Sequence, residues 1–181
     1  MEPSMKYPHD KRSFFTNNES RAIGGGIVLW RGYFQSVRPA MNRLLINIDM
    51  STGMMYRPGT LVDLLLDVLG KPGVPEALAP CHGFPDRERL RLSHFISGLR
   101  VTTPHRTQDR DRWRPVKRLT RESALERTFE LGDGDTMTVM DYFELVLNEP
   151  VKYPDLICVE VRSILSILSN ILTPYSSRPA R

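Results

Sequence analysis

Residues 43–56 read Arg43-Leu44-Leu45-Ile46-Asn47-Ile48-Asp49-Met50-Ser51-Thr52-Gly53-Met54-Met55-Tyr56. Leu44, Ile46, Ile48 and Met50 recur at every second position with Asn47 and Asp49 between them, which is the period of a half-buried strand. Ser51-Thr52-Gly53 has turn chemistry, so Met54-Met55-Tyr56 is expected to return as a second strand and complete a hairpin. Pro58-Gly59 ends the extended stretch. Thr60 then offers an N-cap with Asp63 three positions on, and Leu61, Leu64, Leu65, Val68 and Leu69 follow at helical spacing up to Gly70. Such a leucine stripe reads as core, not as a binding face. Strand pattern and helix pattern together set the class at α+β.

Working outward, Phe14-Phe15, the turn-prone Asn17-Asn18 and the triplet Gly24-Gly25-Gly26 open the first unit, residues 13–70, behind a tail of residues 1–12. Residues 71–85 carry Pro72, Gly73, Pro75, Pro80 and Pro85 and read as a linker. A second unit, residues 86–161, begins with a helix over Asp86–Ser97 that points Leu90, Phe95 and Ile96 inward and is capped by Gly98. Extended segments follow at Leu99–Thr103, Thr128–Leu131 and Thr136–Thr138. Thr138 is an N-cap with Asp141 three on, for a helix over Val139–Leu147, and Ile157–Val161 is a final strand. Residues 162–181 change character, with Ile164, Leu165, Ile167, Leu168, Ile171 and Leu172 at helical spacing among serines.

The formal net charge of +4 admits a polyanionic partner without identifying one. Between Arg100 and Arg121 lie eight Lys or Arg residues against Asp109 and Asp111 alone; a solvated basic loop would look the same. Cys81 and Cys158 have no metal-ligand or disulfide spacing, so no metal or cofactor is expected and a reducing compartment fits. Met1–Arg12 has no apolar run of a secretory signal, and no stretch approaches the ~20 apolar residues of a membrane span, so no membrane partner is expected. His9, His82, His94 and His105 have no nucleophile setting, Gly24-Gly25-Gly26 lacks a phosphate-loop pattern, and Asp63 with Asp67 suit an exposed helix face; no catalytic residue is assigned. What remains can bind. Gripping a single-stranded end takes cations for phosphates and rings for the terminal base or sugar. His105, Arg110, Arg112 and Trp113 lie in the basic stretch, with Phe129 and Tyr142-Phe143 just beyond, although core packing would equally use those last rings.

Several runs match a family in wording. Arg12-Ser13-Phe14-Phe15-Thr16, Gly24-Gly25-Gly26, Leu29-Trp30-Arg31-Gly32-Tyr33-Phe34-Gln35-Ser36-Val37-Arg38-Pro39 and Leu45-Ile46-Asn47-Ile48-Asp49 closely resemble the first linker domain of eukaryotic Argonautes. Gly98-Leu99-Arg100-Val101-Thr102-Thr103, Leu131 to Tyr142-Phe143, and Lys152-Tyr153-Pro154-Asp155-Leu156-Ile157-Cys158-Val159-Glu160-Val161 resemble their PAZ domain. The resemblance covers residues 12–161 and has a fungal flavour.

The resemblance implies a linker domain (β-hairpin plus helix) followed by an OB-like β-barrel with a strand-helix appendage, whose cleft takes the 3′ end of a small RNA. It implies that Tyr142 contacts the terminal phosphate, that Phe129 is the appendage ring, and that Trp113 replaces a tyrosine. His105 falls near the family histidine, and Arg112 or Arg110 supplies charge. Two departures stand out: Leu147 takes a position where a second tyrosine or a histidine would reach the phosphate, and residues 162–181 replace the strand that closes the barrel, leaving it incomplete. The expected function is non-catalytic recognition of a small RNA 3′ overhang in silencing, in the cytoplasm and also the nucleus, beside other silencing proteins. The alternative is a protein-interaction module or a non-functional truncated fragment.

Overall fold

The glycines at 24–26, and not Ser51-Thr52-Gly53, turn the first unit's chain. In the computed structural model the described residues are 9–10, 13–102, 114–130, 134, 136–148, 150–161, 167–168 and 173–174. They fall into two compact units that divide between Arg57 and Pro58, the second running to Tyr175.

The first unit is a four-stranded antiparallel sheet in sequence order: β1 (His9–Asp10), β2 (Ser13–Gly24), β3 (Ile27–Ala40) and β4 (Arg43–Tyr56). Gly24, Gly25 and Gly26 all have positive φ, a run that side chains would strain, and they turn β2 into β3. Met41-Asn42, with Asn42 at φ 57°, turns β3 into β4. β4 then runs unbroken against β3 from Ala40↔Arg43 to Ile27↔Tyr56, so the hairpin expected at 51–53 does not exist. Gly53 is there for clearance. A Cβ on it would sit 2.7 Å from the Phe15 ring, and one on Gly32 would sit 2.5 Å from that ring and 2.6 Å from the Phe14 carbonyl oxygen. The two glycines form a slot for Phe15, which packs with Val28, Trp30 and Met55 as the core of the sheet.

Away from that slot the half-buried expectation fails. Leu44, Ile46, Ile48 and Met50 are 71%, 67%, 63% and 75% exposed. The reason is alternation: on this regular strand Leu44, Ile46, Ile48 and Met50 take the face opposite to Gly53 and Met55, which meet the Phe15 core. Beyond Phe34 the described ribbon also narrows to two strands.

In the second unit α1 (Leu61–Leu69) has the expected caps. The Thr60 hydroxyl accepts from the Asp63 N–H at 3.1 Å, and Gly70 at φ 70° closes the helix through Gly70 N–H to Asp67 O and Lys71 N–H to Leu66 O. Assigned from sequence to the first unit, the helix belongs by packing to the second: Leu61, Val62 and Leu65 share a crevice with Leu78, Leu156, Ile157 and Val159. The proline-rich stretch read as a linker is likewise folded, as two 3-10 turns at Pro75–Leu78 and Pro80–His82, with Leu78 and Ala79 buried. Proline suits the first position of such turns because its missing N–H has no bond to make there.

α2 (Asp86–Ile96) buries Ile96 as expected and half-buries Phe95, but it buries Leu92 and leaves Leu90 exposed. The inner face is set by polar groups: Arg89 Nη1 donates to the Leu119 carbonyl at 3.0 Å, and the Leu119 N–H donates to Ser93 Oγ at 3.1 Å. The helix thus lies against β6 (Arg114–Ser123), which stands between β5 (Arg100–Thr102) and β9 (Ile157–Val161). β7 (Thr128–Glu130) and β8 (Thr136–Thr138) form a separate hairpin, followed by the short α3 (Val139–Asp141) and a wider turn over Tyr142–Val146. In the tail, Ile167–Leu168 (β10) pairs with β9 and Thr173–Pro174 (β11) with β5. These four tail residues are extended rather than helical, and the resulting five-stranded sheet, β10-β9-β6-β5-β11, does not close into a barrel among the described residues.

Gly32→Ala is expected to destabilise the first unit by about 1–3 kcal/mol, because neither the buried ring nor the Phe14 backbone can retreat freely. Urea unfolding followed by Trp30 fluorescence in a Trp113→Phe background measures this.

Candidate nucleic-acid interface

The rings singled out from sequence hang on a bulge. The register of β6 against β9 shifts between Leu119 and Ser123. There the Thr120 hydroxyl accepts from the Cys158 N–H at 2.9 Å and donates to the Glu122 carbonyl at 2.8 Å. The chain leaves the sheet at Ser123, and Ala124 N–H bonds to Pro154 O at 3.1 Å. Two further bonds fold the β7–β8 hairpin and α3 back over this point: Val139 N–H to Arg127 O (2.9 Å) and Met140 N–H to Ala124 O (3.0 Å). Thr138 caps α3 as expected, its hydroxyl accepting from Asp141 N–H at 3.1 Å.

Ala124, Val139, Phe143 and Cys158 form the buried floor of this appendage. Phe129, Tyr142, Leu147 and Val151 pack around it, each only partly buried. Phe129 and Tyr142 meet edge to face with ring centroids 5.2 Å apart and planes at 79°, and Tyr142 meets Phe143 likewise at 6.2 Å. Such pairs fix ring orientation while leaving part of each ring accessible. Leu147 sits in the same cluster, so the position where the resemblance calls for a polar group faces these rings with an apolar one.

Of the site residues named from sequence, Phe129 and Tyr142 are therefore brought together. His105, Arg110, Arg112 and Trp113 lie outside the described residues, on the connection whose ends are held at Val101↔Arg114.

The basic stretch divides in two. On β6, Lys117 and Arg118 both bind Glu160, and Arg121 binds Asp86 together with Arg89. Lys117 first, then Arg118, hold the Glu160 carboxyl below its ordinary range, as Arg89 and Arg121 do for Asp86. These cations are engaged within the fold, although with Arg89 they are four positive groups on two carboxylates and leave an excess of positive charge. Two cations beside residues of the appendage, Arg127 before β7 and Lys152 after Val151, were missed by sequence reading. Arg127, two residues before Phe129, gives Nη1 to Glu122 at 2.7 Å while its Nε is buried without a hydrogen-bond partner. Lys152 lies 5.0 Å over the Tyr153 ring. Arg127 could have been found by its place two residues before the Phe129 ring, at the end of the turn that leads into β7; Lys152 had no such signal. Among the described residues no three His, Cys, Asp or Glu side chains cluster as a metal site, and no helix is long and apolar enough to cross a membrane.

Residues 82–174, just over half of the chain, match the PAZ domain, past Val161 and through both tail strands. Residues 10–57 match the Argonaute linker 1 domain. The fold is similar to that of Kluyveromyces polysporus Argonaute with a guide RNA, at TM-score 0.64 and 17% identity over 97% of this chain and 22% of that one. A Drosophila Argonaute 2 PAZ structure concerned with 3′ end recognition of nucleic acids aligns at 28% identity over 50% of this chain and 76% of that one, with TM-score 0.38. A second Drosophila Argonaute2 PAZ structure aligns at 35% identity over 49% and 74%, with TM-score 0.36. The protein is thus of the PAZ-containing class. A linker 1 domain ahead of the PAZ domain narrows that class, and the chain belongs to the Argonaute family, spanning about a fifth of the length of the Kluyveromyces protein.

Burial under the appendage pushes the Cys158 thiol up to about 12, while Cys81 is exposed. One thiol per chain is expected to react with Ellman's reagent at pH 8 in the native protein and two after denaturation. As pH rises past the ordinary thiol value the unfolded chain releases this proton and the folded chain keeps it, so stability falls between pH 9 and about 12. The urea midpoint of the wild type should drop across that window more than that of Cys158→Ala.

Proposed function

We propose that the PAZ unit of this protein holds the 3′ end of a small RNA and catalyses nothing, its two matched domains serving to grip and brace. The observation that carries this reading is the oriented Phe129–Tyr142 pair on an appendage folded over the sheet, within the PAZ match. Such rings stack on a terminal base or sugar of any sequence, for about 1–3 kcal/mol per base. In this reading Tyr142 also gives its hydroxyl to the terminal phosphate, and His105, Arg110, Arg112 and Trp113 approach from the connection between β5 and β6. The guide RNA held by the Kluyveromyces relative is the natural class of ligand. Work in RNA silencing, in the cytoplasm and also the nucleus, beside other silencing proteins, follows from the same reading.

Leu147 tempers the affinity, since an apolar side chain offers the phosphate no donor. A hydrogen bond to a charged group contributes about 1.5–3 kcal/mol. Leu147→Tyr is therefore expected to tighten binding about tenfold or more, and Tyr142→Phe to weaken it by a similar factor. Fluorescence anisotropy with a duplex bearing a two-nucleotide 3′ overhang, against its blunt counterpart, is the direct measurement. Equal affinity for the two duplexes would refute the proposal.

A further inference from the structure

The second unit's sheet ends on both sides in a two-residue strand, β10 beside β9 and β11 beside β5. Among the described residues the first unit's sheet ends so only at β1, and its other edge is the 14-residue β4. Proteins blunt such edges with charge, proline, bulges or short strands. Leu44-Leu45-Ile46-Asn47-Ile48 has no charge and no proline, and β4 runs for 14 residues against β3 without a register shift. Its cross-strand partners extend the exposed apolar face, with Val37, 62% exposed, opposite Ile46 and Tyr33, 49% exposed, opposite Met50.

We propose that β4 is a self-pairing edge, along which two copies of this chain join antiparallel about a two-fold axis through Ile46. The register follows from the side chains. With Ile46 opposite its own copy, Leu44 falls opposite Ile48 and Arg43 opposite Asp49, each pair occurring twice by symmetry. Arg43 has no ion-pair partner among the described residues, and Asp49 accepts a bond from the neighbouring Asn47 amide at 2.8 Å. Opposite charges set directly across from each other favour a register and like charges oppose it. Moving the axis one residue to Asn47 would set Arg43 against Ser51 and Asp49 against Leu45. Moving it to Leu45 would set Arg43 against Asn47. Only the Ile46 axis satisfies both charges and keeps the apolar row continuous, and this self-complementarity makes a second copy the occupant.

Light scattering coupled to size exclusion, across a concentration series and without RNA, tests this independently of the function proposed above. The wild type is expected to approach twice the chain mass of 20.8 kDa. Ile46→Lys places two lysines face to face and should hold the protein at the mass of one chain; because Ile46 is exposed, an unchanged far-ultraviolet dichroism spectrum shows that the fold survives. Arg43→Glu and Asp49→Lys should each weaken association about tenfold, and the two combined should restore it. A wild-type mass of one chain throughout overturns the proposal and leaves the edge to a strand of another protein. So does a dimer that survives Ile46→Lys, or a charge swap that fails to restore pairing.

Discussion

The Thr120 hydroxyl, set between two strands where β6 bulges, is the tie on which the second unit depends. It takes the Cys158 N–H that the shifted register would otherwise leave without a ladder partner. An unsatisfied buried donor costs about 1–3 kcal/mol, so the bulge persists only because the side chain replaces the backbone there. Everything on the appendage follows from that departure. The chain turns off the sheet at Ser123, Ala124 lies over the fully buried Cys158, and the floor so made is what Phe143 rests on and what Phe129 and Tyr142 rim. The position of the Phe129–Tyr142 pair is thus set by a hydroxyl on the central strand of the neighbouring sheet.

Charge in this protein serves two masters. On β6 it is structural: Lys117, Arg118 and Arg121 fasten Glu160 and Asp86, exposed contacts of small individual energy that register strand and helix. Glu160 and Asp86 each offset one of the two cations that bind them. A count of positive residues in the basic stretch overstates by that much what a ligand meets.

Much of the fold was legible where the signal is local. Thr60, the leucine stripe and Gly70 bound α1 correctly because capping depends on neighbours three or four residues apart, and Thr138 and β9 were readable for the same reason. The candidate site was legible in part through family wording, which led to Phe129 and Tyr142. The errors were non-local. Gly53 looks the same in sequence whether it turns the chain or clears a ring thirty-eight positions earlier, and only the pairing of β2 with β3 distinguishes the two. The leucines of α1 announce burial without saying that Leu78 and β9 cover them. Leu90 misled because hydrophobicity chose the face of α2, whereas Arg89 and Ser93 choose it by bonding to Leu119. The tail's spacing suggested a helix, yet open edges of a neighbouring sheet offered Ile167–Leu168 and Thr173–Pro174 a better partner.

The placement of β11 has a consequence for how the chain matures. Every pairing of the linker sheet among the described residues is available once Tyr56 has left the ribosome, because each strand pairs with the next. The second sheet joins Thr102 to Thr173, so one border must wait for its final strand to be translated. At about 5–20 residues per second that interval is roughly 4–14 s. Throughout it, a nascent PAZ sheet presents an unfinished margin to chaperones while the domain ahead of it is already native.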